Sequence, residues 1–202
     1  KSGLIAIDAP GQEMLLRTSV KIDERQVDIR LSVGLPAAGR TILGRQAAEL
    51  LCGLVPAIVR EAVLHFPPEE LARFCRLADQ QQAIRDYMAE HGYVAFVADG
   101  SILPRESGES DRPLKKGRVI PFQSPPSLRV EIPVPHGEPI SGMAISRGIT
   151  LIVGGGYHGK STLLKAIERG VYNHIPGDGR EYVLTDPTAV KIRAEDGRRV
   201  EK

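Results

Sequence analysis

GITLIVGGGYHGKSTLLKAIERG, residues 148–170, decides how the chain is read. An uninterrupted apolar run leads into four glycines and a Lys-Ser-Thr, and a helical pattern follows. Residues 154–161 match G-x-x-x-x-G-K-[ST] in full, between an expected strand over 148–155 and an expected helix over 161–170. A loop that wraps a phosphate must turn its backbone N–H groups inward, through φ angles that glycine reaches without steric cost. The helix N-terminus adds open N–H groups and the positive end of a dipole. The expected phosphate-binding set is Gly154, Gly155, Gly156, Tyr157, His158, Gly159, Lys160, Ser161 and Thr162. Lys160 is the mobile cation for the β and γ phosphates. Ser161 offers a hydroxyl to Mg2+, and Thr162 bonds the α phosphate. For His158 two readings stay open, against a phosphate oxygen or out in solvent.

Outward from the loop, the chain has 202 residues, 42% of them hydrophobic, enough for one large domain or two small ones. A net charge of +2 demands neither nucleic acid nor an anionic membrane. No apolar stretch reaches the length of a transmembrane helix, and the cysteine usage points to a cytosol-like, cytoplasmic compartment. Cys52 and Cys75 fit no metal or redox spacing and read as reduced core residues.

Upstream, MLLRTSVKI (14–22) and QVDIRLSV (26–33) read as a hairpin around Asp23, Glu24 and Arg25. The stretch 34–44 is rich in glycine and reads as a loop. Residues 45–66 are helical in composition, with a break expected near Gly53 and Pro56. The clearest helix runs over 67–92, with Pro68, Glu69 and Glu70 in its first turn and Gly92 at its stop. Leu71, Phe74, Cys75 and Ala78 share one of its faces. Strands are expected at 93–100, 127–134, 142–145 and 180–186. The segment 105–118 reads as a solvated loop. Asp99 and Asp186 each end a strand and read as structural. Arg180, in the turn GDGRE, reads first as a turn residue and second as a contact to a partner or nucleotide.

The order of elements before the loop, an amphipathic strand, a glycine turn, a short strand and then GITLIVGGGYHGKSTLLKAI, resembles the front of an ABC-type ATPase domain. A closer resemblance covers most of the chain. GLPAAGRTILGRQAAELL, VAFVADGSILPR, VIPFQSPPSL, ITLIVGGGYHGKSTLL, GVYNHIPGDGRE and KIRAEDGR resemble the predicted ATPases of the ABC class. The resemblance implies an α/β fold: an N-terminal α+β domain, 1–92, then the start of an ABC-type P-loop domain, 93–202, a mixed sheet with an antiparallel β layer. It implies ATP and Mg2+ as ligands and a homodimer as the hydrolysing form.

Two departures stand out. ABC transporters stack adenine on an aromatic residue upstream of the loop, and none lies between Phe122 and Tyr157. Nothing after residue 170 supplies the strand ending Asp-Glu or the signature segment of that class; Asp186 is followed by Pro187. With Lys at position 1 and a charged end, the chain reads as part of a longer protein, one that hydrolyses ATP only when complete. Where the class has its glutamine loop, this chain has AEDGR: Glu195 is a candidate Mg2+ ligand, or the segment is a charged turn.

Two other functions compete. An RNA or other nucleic-acid module, with ATP as a dimerising clamp, would use Arg40, Arg45 and the basic residues of 105–118. Aromatic residues for stacking are scarce: five Tyr, four Phe and no Trp. A small-molecule kinase would need an acceptor site and a lid, and no residue reads as an acceptor base.

Overall fold

The computed structural model describes residues 3–117 and 119–192. They divide into two compact units, one holding residues up to 11 together with 15–73, the other holding 12–14 with 74 onward. The early strands are short: β1 (Ile5–Ala6), β2 (Glu13–Met14), β3 (Val20–Ile22), β4 (Val27–Ile29), β5 (Ser32–Val33), β6 (Ala37–Ala38) and β7 (Thr41–Ile42). In the first unit β1 pairs with β5, β3 with β4, and β6 with β7, all antiparallel.

The expected hairpin is therefore present at its centre but shorter than its apolar pattern. Its turn is set by Asp23, whose Oδ1 accepts the N–H groups of Arg25 and Gln26. The outer halves of the two runs pair elsewhere or stay unpaired. The stretch 34–44, expected as a loop, contains the β6–β7 hairpin, with Gly39 at φ +60° in its turn. After it come α1 (Gly44–Glu49), a π-helical turn over Leu50–Leu54, α2 (Val55–Val59) and a second π turn over Arg60–Leu64. The break or restart expected near Gly53 and Pro56 takes the form of a change of helix type, with a new α segment from Val55. In the wider π turn the Val55 N–H reaches back five residues to the Leu50 carbonyl, and Pro56, with no N–H to place, sits in the first turn of α2.

The second unit is built on a four-stranded antiparallel sheet in the order β12-β8-β10-β9, from β8 (Tyr93–Ala98), β9 (Arg129–Ile132), β10 (Ile140–Ser146) and β12 (Val183–Thr185). Long α3 (Pro68–His91) leads into it, and Gly92, at φ +70°, ends that helix and turns the chain into β8. The buried stripe of α3 is Leu77, Gln81, Ile84 and Met88. It is not the face expected from the sequence: Leu71 and Cys75 are exposed. That expectation followed the apolar residues of the first two turns. The residues three and four apart that meet the sheet lie further along the helix. Cys52 is exposed as well, so neither cysteine is a core residue.

Ile84 and Met88 pack with Phe96, Ile132, Ala144 and Leu184 on one side of the sheet, and Phe96, Ile84, Ile132 and Leu184 have no exposed surface. Each such side chain contributes about 1.5–3 kcal/mol of burial. A second cluster, Val97, Leu103, Met143, Ala166 and Val183, lies under α4 (Lys160–Arg169). Gly142 leaves room for the neighbouring strand β8. A Cβ there would stand 2.6 Å from the Val97 carbonyl oxygen and closer still to the Phe96 ring. β11 (Asn173–His174) pairs with β2 in a separate two-stranded ladder.

The largest departure from the expected fold is at 148–155. The apolar run forms no strand. Ile149 is 103% exposed, Leu151 82% and Val153 74%. A strand of this composition is held by neighbours on both edges and covered on both faces. Among the described residues no segment pairs with it, and Gly148, at φ +118°, turns the chain away from the sheet after β10. The sheet seen is accordingly antiparallel throughout, and the mixed sheet expected from the sequence is not formed among the described residues.

Candidate functional site

Loop 154–159 is exposed along its length and runs directly into α4. Two positions carry the left-handed backbone that shapes it. Gly159, the residue before the helix, has φ +80°, and Tyr157 has φ +60° with its side chain fully in solvent. No side chain caps α4, so its first-turn N–H groups stay open. No backbone N–H of residues 155–159 donates to a backbone carbonyl among the described residues. The loop thus presents a run of uncommitted donors at the positive end of a helix.

Lys160 folds back across this loop. Its Nζ donates to the Gly154 carbonyl at 2.6 Å and also to that of Gly155. The ammonium therefore stands at the mouth of the loop. The His158 ring lies over Gly155, where a Cβ would meet its Cε1 at 3.0 Å. His158 is at the same time exposed, so both readings of it stay open. Ser161 is exposed and Thr162 half-buried, both on the first turn of α4.

The far end of α4 is pinned. Thr185 donates its N–H to the Gly170 carbonyl at 2.8 Å and its Oγ1 to that of Ile167 at 2.6 Å. Arg85, from α3, donates Nη2 to the Gly170 carbonyl at 3.1 Å and Nη1 to that of Thr185 at 2.8 Å. Sequence reading missed Arg85. A lone Arg in a long helix carries no signal until its partners are known.

The other candidate residues are not brought to the loop. Asp99 is a structural carboxylate: its Oδ1 accepts the Ser124 N–H at 2.5 Å and the Ser124 hydroxyl at 2.6 Å, and its Oδ2 accepts the Ser141 hydroxyl at 2.9 Å. Burial pushes its carboxyl upward, but these bonds and nearby Arg129 outweigh that and hold it below the usual range. Asp186 accepts the N–H and hydroxyl of Thr188 in a local turn, which lowers its carboxyl. Arg180 is 4% exposed and donates Nε to the Leu103 carbonyl at 3.0 Å, so it is a buried side chain rather than a free turn residue. Its turn is as expected, with Gly177 and Gly179 at φ +86° and +82°. Glu195 and Asp196 lie outside the described residues.

Sequence reading also missed a buried charge cluster beside Arg180. Asp178 has no exposure; Arg105 donates Nη2 to its Oδ2 at 2.6 Å and Nη1 to its main-chain carbonyl at 2.9 Å. The Nδ1 of His174 lies 2.9 Å from the same oxygen, near enough to attract but without hydrogen-bond alignment. Arg105, expected on a solvated loop, therefore anchors that loop. Gln81, on the buried stripe of α3, donates to the carbonyls of His174 and Glu181, both at 2.9 Å, and ties the cluster to the helix.

The sequence matches the P-loop domain of the ABC ATPases over residues 67–202 and the N-terminal domain of the ATPases of the ABC class over residues 1–66. The chain belongs to the ATPases of the ABC class. Two thirds of its length falls within the P-loop domain of that class. It is also similar to an uncharacterised protein of Methanocaldococcus jannaschii. The two are 36% identical over 117 residues, which cover 55% of this chain and 26% of the relative. The chain thus spans about a quarter of that relative's length. No described helix of this ABC-class chain is long and apolar enough to cross a membrane.

Proposed function

We propose that loop 154–162 of this ABC-class ATPase holds the triphosphate of Mg·ATP, and that the complete protein hydrolyses it as a homodimer. The observation that carries the reading is the open run of backbone donors from Gly155 into α4, with the Lys160 ammonium at its mouth. A triphosphate brings acceptor oxygens for the N–H groups and a charge for the ammonium. On binding, Lys160 exchanges two main-chain carbonyls for anionic oxygens, the stronger partners.

The loop offers one hydroxyl to a cation, that of Ser161. The described residues contain no group of three His, Cys, Asp or Glu side chains able to hold a metal. That donor set fits Mg2+ arriving with the nucleotide, since Mg2+ keeps several waters and takes phosphate oxygens readily. When bound, the ion screens the phosphate charge. The chain's own part is to position: the amides fix the β phosphate and Lys160 balances the β–γ charge. The test is calorimetric titration of Mg·ATP into the chain and into Lys160→Ala. Saturable binding that the substitution weakens at least tenfold supports the reading; equal affinity in the two proteins removes it.

A further inference from the structure

A cleft of about 440 Å³ lies between the 104–111 loop and α4, within the second unit. Its walls are strongly cationic: Arg105, Lys165, Arg169, Arg180 and Lys191 line it, against two carboxylates, Asp111 and Glu168. Three of the five cations are matched. Arg105 is paired with Asp178 at 2.6 Å, Lys191 with Glu168 at 2.6 Å, and Arg169 stands 3.6 Å from both Asp111 and Glu13. The other two are not. Neither Arg180 nor Lys165 forms an ion pair with a carboxylate among the described residues.

Arg180 is the telling member. It is 4% exposed, its bonds go to a neutral carbonyl, and it lies in the wall of the cleft. Burial, and then the like charge of Arg105, push its guanidinium down to about 10. Asp178 and Asp111 offset part of this from beyond salt-bridge distance, and an anion in the cleft would relieve the rest. Lys165, exposed on α4 across from it, adds a flexible second cation. Thr162 supplies a hydroxyl at the end nearest the phosphate loop.

We propose that this cleft is a second anion site, taking the phosphate group of a small ligand between Arg180 and Lys165. A planar guanidinium matches two phosphate oxygens, and an ammonium takes a third. The volume suits a phosphate monoester with a modest organic part and excludes nothing as small as orthophosphate. Neither cation belongs to residues 154–162, and Thr162 is the one lining residue shared with that loop.

The test weakens the loop in the measurement and reads the cleft through its own residues. Inorganic phosphate is titrated calorimetrically into the chain carrying Lys160→Ala. Saturable one-to-one uptake is expected, about tenfold weaker when Lys165→Ala is added, and lost with Arg180→Gln but kept within a few-fold by Arg180→Lys. Lys165 is exposed, so its substitution decides the matter even where an Arg180 variant fails to fold. No saturable uptake in the Lys160→Ala chain, or uptake indifferent to Lys165→Ala, overturns the proposal. A nucleoside 5′-monophosphate titrated in parallel identifies the source: tenfold tighter binding than orthophosphate marks a nucleotide site, and equal binding marks a free-phosphate site.

Discussion

The Nζ of Lys160 and the carbonyl oxygen of Gly154 are 2.6 Å apart, closing a ring across six residues of loop. The contact means that the ammonium is already at the loop's mouth before any ligand is present. Its removal takes a charged partner from the phosphates and nothing from the core. Lys160→Ala should therefore weaken Mg·ATP binding by about 10–100-fold, the worth of a charge-assisted hydrogen bond of about 1.5–3 kcal/mol. The thermal midpoint without nucleotide should stay unchanged. Calorimetry and a melting curve on the same preparation check both halves.

Gly159 and Gly156 make a controlled pair. Both have open space where a Cβ would go, but only Gly159 has a left-handed φ, at +80°. Gly159→Ala should cost about 1–2 kcal/mol through backbone strain and should distort the donor run at the head of α4. Gly156→Ala should cost little. Urea denaturation of the two variants separates them, and equal stabilities would contradict the conformational argument.

Gly142→Ala tests packing instead of torsion. The added methyl would collide with the Val97 main chain and the Phe96 ring in the middle of the sheet. A loss of about 1–3 kcal/mol is expected from overpacking. It should appear as a lower denaturation midpoint with an unchanged slope.

Asp178 should govern stability in acid. Burial raises its carboxyl, but His174 and Arg105 together lower it by more, so its folded value lies below the ordinary one. A depressed carboxyl contributes stability that is fully present above its unfolded value, about 3.9, and is lost as pH falls through the folded value. Unfolding free energy should thus hold level near neutrality and decline below about pH 4. Asp178→Asn should remove that part of the decline and, by leaving Arg105 unpaired, cost about 3–5 kcal/mol at pH 7. Denaturation curves across pH 3–7 for the two proteins give the comparison.

The loop, α3, α4, β8, β10 and β12 were legible because each is written in local chemistry: a glycine that must be left-handed, a proline at a first turn, a short apolar run. The same local reading failed wherever partners decide. GITLIVGG has the composition of a central strand, yet no described strand lies beside it. The buried face of α3 is chosen by Phe96 on the next strand and by the distant Leu184, and not by the apolar residues at its own start. Arg105 and Arg180 looked like surface charges in turns. Their burial depends on Asp178 and the Leu103 carbonyl, and neither dependence shows in spacing. The site followed the same division. The glycine loop stands in the sequence as one continuous motif, while the cationic cleft needed four separate segments to come together.

The clamp at the far end of α4 has a mechanical consequence. With the Gly170 carbonyl held by both Arg85 and Thr185, the C-terminal end of the helix is tied to α3 and to β12. Ala166, in the middle of the helix, is buried against the sheet as well, so the exposed first turn of α4 stands on an anchored base.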